Sequence, residues 1–205
     1  IDQSNFYIPT SDKNLNDTLS QPGVKSINLP LGEVKITRKV KALDVIIRTC
    51  SGVNMLTQSK KRIFEKEKIN YTLRSVNSIL KSINYAKGYH PKIDIKVIII
   101  DHNSSDENLK KIIDLLNNSS LDFKLINLDL KEFEKQIKTT NEKNEKVTAN
   151  QISNMSNIYK SLLSSKISED LIYFVEDDYI HEIDSITEML FTYERIASLT
   201  NKELI

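Results

Sequence analysis

The chain has 205 residues, and 29 basic side chains against 28 acidic ones leave a formal net charge of +1. Such a balance offers no positive field for a polyphosphate partner, which argues against nucleic acid as the main ligand. Hydrophobic residues at 39% and charged residues at 28% are ordinary globular usage, which argues against wholesale disorder. The longest apolar runs, such as Val97-Ile98-Ile99-Ile100, fall far short of the about 20 residues that a membrane-spanning helix needs. One cysteine, Cys50, excludes an internal disulfide framework and a cysteine-based zinc site. It fits a reducing, cytoplasmic setting. The chain opens on Ile1 with no signal segment, and Glu203-Leu204-Ile205 carries no Gly or Pro stop. Both features read as a piece of a longer protein.

Residues Ile1–Ala42 are polar and aperiodic and hold Pro9, Pro22, Gly23, Pro30 and Gly32. They read as an N-terminal extension or linker, with a short strand at Glu33–Thr37. From Leu43 onward, residues 43–205 read as one domain. Leu43–Thr49 is a β-branched run and predicts a buried strand. In the next periodic stretch, Lys66–Lys87, Ile69, Leu73, Val76, Leu80 and Ile83 share one helical face, and Gly88 and Pro91 stop it. Ile95–Ile100 predicts a second strand. The following helix turns Leu109, Ile112, Ile113 and Leu116 inward, with Ser104 and Glu107 spaced as a capping box.

Phe123–Leu128 predicts a third strand, Leu130–Lys138 a short amphipathic helix and Thr139–Lys146 a solvated loop. A further helix is marked by Ile152, Met155, Ile158, Tyr159 and Leu162. Leu171–Val175 predicts a fourth strand, buried on both faces, and Ile183–Leu199 a last helix. Alternation of strand and helix predicts an α/β fold, a mostly parallel sheet flanked by helices. Ligands of such sheets sit at the carboxyl ends of the strands, near the switch in strand order.

The residues just past those ends carry the chemistry. Glu176-Asp177-Asp178 follows the fourth strand. Three adjacent carboxylates there repel one another and hold either a proton or a cation, and hard oxygens suit Mg²⁺ or Mn²⁺. The alternative is an acidic turn, or Asp178 serving a helix N-terminus. Asp101 ends the second strand and either accepts from a nucleobase imide or caps the loop into the next helix. Asp106 and Ser104 read as helix caps. Arg48 and Thr49 end the first strand, and Arg48 either contacts a diphosphate or base or pairs with Asp101 or Asp178. Cys50 reads as a small hydrophobe. His90, His102 and His181 lack metal-ligand spacing, although His102 and His181 follow strand ends. The chain has no Gly-rich phosphate loop, which leaves phosphate to a metal.

Together these residues resemble the nucleotide-binding half of a GT-A fold glycosyltransferase, most like the large family 2 group. Asp44–Thr49 is similar to that family's opening strand, and Tyr71–Leu80 to its first helix. Val97–Asn108 is similar to its strand–Asp–polar–Ser–Asp segment. Asn157 stands where the family often has Asn, and Phe174-Val175-Glu176-Asp177-Asp178 looks like its DXD-type metal motif. The resemblance implies a Rossmann-like GT-A sandwich and a nucleoside-diphosphate sugar donor, a UDP-sugar favoured, with Asp101 on the base. It implies Asp178 on Mn²⁺ or Mg²⁺, with Glu176 and Asp177 toward ribose, water or metal. Arg48 and Thr49 depart from the family's Pro and Tyr-Asn at the corresponding place. An inverting transfer to a saccharide, lipid or protein acceptor is implied. The catalytic base is expected beyond Ile205, so this chain alone is expected to be inactive. A nucleotidyltransferase would want a Gly-rich loop and a lysine after the first strand. A non-catalytic interaction module with a degenerate fold is the other alternative.

Overall fold

A computed structural model describes residues 35–52, 67–140 and 142–203. Four strands form one parallel sheet: β1 (Ala42–Thr49), β2 (Asp94–Asp101), β3 (Asp122–Asn127) and β4 (Leu171–Glu176). Between them run α1 (Lys68–Tyr89), α2 (Asp106–Asn117) and α3 (Ala149–Ser165), and α4 (Ser185–Thr200) follows. The sheet is therefore an α/β sheet flanked by helices, as expected.

Strand order is β3-β2-β1-β4. The first two crossovers build outward from β1, and the third returns to pair β4 with the other side of β1. A right-handed crossover puts helices on one face while the chain moves one way and on the opposite face when it reverses. α1 and α2 accordingly pack on each other. α3 lies with a 3-10 turn, Leu130–Phe133, over β1 and β2. The reversal leaves a switch point between the carboxyl ends of β1 and β4.

The core follows from the β-branched runs. Leu43, Val45, Ile46 and Ile47 of β1 are fully buried, as are Val97, Ile99 and Ile100 of β2. Each such side chain contributes about 1.5–3 kcal/mol by leaving water. Ile46, Ile98 and Ile100 meet Leu128 and Phe133 beneath α3. Val76, Ile79 and Ile83 of α1 and Ile112 and Leu116 of α2 are also buried.

Several expectations need correction. β4 is not buried on both faces: Phe174 is 43% exposed, and only Val175 is fully covered. Among the described residues β4 is a sheet edge, with β1 as its one neighbour. The Ser104–Glu107 capping box does not form; Ser105 caps α2 by accepting from the Asn108 N–H, and Glu107 pairs with Lys111. Leu130–Lys138 yields a single 3-10 turn rather than a helix. The expected strand at Glu33–Thr37 lies partly outside the described residues, and Lys35–Thr37 are not in a strand. α3 inverts its expected face: Ile158, Tyr159 and Leu162 are exposed, and Ser153, Ser156, Asn157 and Ser161 are buried. Small side chains there let the helix lie close to the sheet.

The described residues divide into two compact units, Val40–Met189 and a smaller one that joins residues 35–39 to residues 190–203. In the smaller unit, Ser198 Oγ accepts the backbone N–H groups of Thr37 and Arg38 at 3.0 and 2.9 Å. The Arg38 guanidinium pairs with Glu203 and lies over the Tyr193 ring. No helix among the described residues is long and apolar enough to cross a membrane.

Candidate functional site

Arg48, Thr49, Asp101, Asn157, Glu176, Asp177 and Asp178 lie in the Val40–Met189 unit, around the carboxyl ends of β1, β2 and β4, whereas His90 caps the C-terminus of α1 at the other end of the sheet. In-register pairing sets Thr49 beside Asp101 and Arg48 beside Glu176. Strand alternation then sends Arg48 and Glu176 toward α3 and Thr49 toward the opposite face.

On that opposite face, Asp101 is 3% exposed. Its Oδ1 accepts the Thr49 and Ser104 hydroxyls, both at 2.6 Å, and its Oδ2 accepts the Ser104 N–H at 3.2 Å. Ser104 is thus a partner of Asp101, not a helix cap, and its Oγ also accepts the Ser51 N–H at 3.0 Å. Asp101 thereby pins the loop after β2 to the loop after β1. Gly52 completes that junction. A Cβ there would overlap the backbone carbonyl oxygen of Asn103, which itself has φ 63°. A residue without a side chain is what lets the two loops touch.

The acidic triplet diverges. Glu176 ion-pairs with Arg48, whose other terminal nitrogen donates to Asn154 Oδ1 of α3 at 3.2 Å. Asp177 is 6% exposed. It accepts from Thr72 Oγ1 at 2.9 Å and from the Cys50 N–H at 3.3 Å, and Lys68 Nζ stands 3.3 Å away. Asp178 is exposed at the turn after β4, with no ion pair or hydrogen bond to the described residues. Arg48 therefore pairs with Glu176, and neither Asp101 nor Asp178 is its partner.

Asn157 sits beneath β2, its Nδ2 donating to the Ile100 carbonyl at 3.1 Å, and is buried. Beside it on α3, Ser153 Oγ stands 2.6 Å from His102 Nδ1. Burial lowers the His102 pKa, against a smaller opposing pull from Asp101. Burial also pushes the Cys50 thiol up. Beyond the triplet, His181 meets the Tyr173 hydroxyl at 3.0 Å through Nε2, and its backbone N–H donates to Ser78 Oγ at 3.0 Å.

The structure thus joins Thr49 with Asp101 and Arg48 with Glu176, and separates the three adjacent acids. Lys68, Thr72, Ser104 and Asn154 were not anticipated as partners. Three of them contact residues more than 100 positions away, and no local pattern signals that. Among the described residues, no three His, Cys, Asp or Glu side chains converge as a metal-ligand set. Asp178 is nonetheless a suitable single ligand, because Mg²⁺ commonly takes one or two carboxylates and fills its shell with water and substrate phosphates.

No protein-family model matches the chain, and no curated protein matches it. Among solved structures, an active-site mutant of the glycosyltransferase LgtC is similar over 71% of this chain, at 12% identity and a TM-score of 0.36. The chain spans 41% of the length of that structure. A likeness this faint bears on neither ligand nor activity.

Proposed function

We propose that this chain carries the donor-binding half of a metal-dependent glycosyltransferase of the GT-A, family 2 kind. One observation carries the reading: the motif residues Arg48, Asp101 and Asp178 lie at or just past the carboxyl ends of β1, β2 and β4, and β1 and β4 flank the switch in strand order, where open α/β sheets bind ligands. The donor is a nucleoside diphosphate sugar, with uridine as the favoured base. An ionised carboxylate has about four acceptor positions, and three contacts to Asp101 are intramolecular. A base imide N–H would take the fourth, on Oδ2.

Asp178 would hold Mg²⁺ or Mn²⁺. Such an ion supplies neutralisation of the diphosphate as it departs. The chain's own contribution is positional. Thr49 and Ser104 fix the Asp101 carboxylate, and Asn154 and Glu176 fix the Arg48 guanidinium beside the diphosphate. Asp177, held by Thr72 and Lys68, fixes the turn that presents Asp178. Asn157 supports the end of β2. No residue of the chain is assigned as the base that activates the acceptor hydroxyl, and the acceptor's class is open.

Isothermal titration with UDP, with and without Mn²⁺, tests the reading. Binding that tightens with Mn²⁺, and a loss of that tightening in Asp178→Asn, are expected. Absence of UDP binding under both conditions would end it.

A further inference from the structure

We infer that His102 is a phosphate contact of the donor nucleotide: Ser153 holds its Nδ1, and its Nε2–H donates to a phosphate oxygen on the α3 face of the sheet. The inference rests on the donor reading above and needs no cation. Its basis is the way α3 grips two neighbouring strand ends.

Successive residues of that helix, Ser153 and Asn154, hold His102 and Arg48, at 2.6 and 3.2 Å. These two side chains therefore share one face at the carboxyl end of the sheet, whereas Thr49 and Asp101 occupy the other. The His102 backbone is fixed as well. Its N–H donates to the Thr49 carbonyl at 3.0 Å, one residue past β2, and the chain turns away directly afterwards at Asn103, φ 63°. Ser153 is buried, and the Cys50 sulfur beside it is a weak acceptor. Its hydroxyl therefore donates to Nδ1, which leaves the ring proton on Nε2. Nε2 has no partner among the described residues and reaches water, whereas His181 Nδ1 is buried. A nucleotide with its base at Asp101 and its diphosphate toward Arg48 must cross the end of β2, where that N–H stands.

Few charges surround the imidazole. α3 has one charged side chain, Lys160, which is engaged with Glu132. From β1 and the loop after it come Arg48, paired with Glu176, and the Cys50 thiol. Asp101 precedes His102 on β2, and Asp129 in the loop after β3 accepts from the Lys131 N–H. Of these, Asp101 is the one that pulls on the ring, and burial outweighs it. His102 is thus neutral near pH 7 and donates as a neutral ring. A phosphate beside Nε2 favours the imidazolium and raises its pKa in the complex. By linkage, nucleotide binding then takes up a proton and tightens as pH falls toward 6.

Proton NMR of the three histidines in the full, metal-free chain, titrated with acid in the absence and presence of saturating UDP, reads this out. The resonance missing from His102→Gln identifies the ring, whose pKa should rise by about one unit when UDP binds. His102→Gln keeps an acceptor for Ser153 but takes up no proton. Its UDP affinity, by calorimetry, should fall behind that of the unmodified chain by about threefold to tenfold between about pH 7.5 and about pH 6, since one pKa unit is worth at most tenfold. The ionisation of UDP itself is common to both chains and cancels. A His102 pKa that UDP leaves unmoved while it binds, or the same pH dependence of affinity in His102→Gln, overturns the assignment and leaves the donor reading intact. Absence of UDP binding to the unmodified chain removes both. Should His102→Gln fail to fold, elimination with His90→Gln and His181→Gln identifies the resonance, and the titration of the unmodified chain decides.

Discussion

Thr72 Oγ1 donates to Asp177 Oδ2 at 2.9 Å, joining the first turns of α1 to the turn after β4 across 105 positions of sequence. This contact takes the middle acid out of the surface row and gives it a structural duty. Thr72 is itself fully buried, so replacing it with Val keeps the volume and removes one donor from a buried carboxylate. Thr72→Val should cost about 1–3 kcal/mol, read as a lowered urea midpoint with an unchanged slope. A midpoint equal to that of the unmodified chain would show that Lys68 and the Cys50 N–H suffice.

The neighbouring acids should separate in the same assay. Asp177→Asn leaves Lys68 facing a neutral amide in a site that is nearly dry on the Asp177 side. Its destabilisation should reach about 3 kcal/mol, the low end for a broken buried pair. Asp178→Asn touches an exposed side chain, and its stability should change by no more than about 0.5 kcal/mol. Only Asp178→Asn should abolish the Mn²⁺ dependence of UDP binding while the fold stays intact. Equal stability losses in the two variants would contradict the divergence of the triplet.

How far the sequence could be read depends on which interactions are local. The boundaries of β1 and β2 differ from the expected ones by at most one residue at each end, because a β-branched run ending in a polar residue marks a buried parallel strand directly. β4 is less buried than its apolar run predicts, because such a run does not reveal whether a strand has neighbours on both sides. Ser104 and Ser105 offer the same cap chemistry, and the choice between them is made by Asp101 and the Ser51 N–H, which lie outside the helix. On α3 the apolar period pointed to Ile158 and Leu162, yet close packing against the sheet favours Ser153, Ser156 and Ser161 inward. The partners of Arg48 and Asp177 come from α1, α3 and β4, and such pairings emerge only once strand order is known.

Gly52 gives a sharper test of the junction between the loops after β1 and β2. Any Cβ at this position meets backbone, the Asn103 carbonyl, rather than the far end of a side chain that could move aside. Gly52→Ala should therefore cost about 1–3 kcal/mol, as overpacking does. It should also weaken UDP binding, because the displaced loop carries the Ser51 N–H that braces Ser104 against Asp101. A urea melt beside a UDP titration checks both effects. A stable variant with normal affinity would show that the two loops can part at no cost.

Acid should destabilise the fold through His102 and His181. Burial lowers the pKa of both imidazoles in the folded chain, for His181 against a smaller opposing effect of the Tyr179 backbone. The unfolded chain then binds protons first as pH falls. Stability from this source is fully present above the ordinary imidazole value of about 6.5 and is lost as pH falls through the lowered folded values. Urea midpoints measured from about pH 8 to pH 5 should decline below that ordinary value. His181→Gln should remove part of the slope, since Gln has no proton to take up and can still present an acceptor to the Tyr173 hydroxyl. His102→Gln should remove a further part, with Ser153 keeping a partner. If both variants retain the full slope, the acid sensitivity lies with the carboxylates instead.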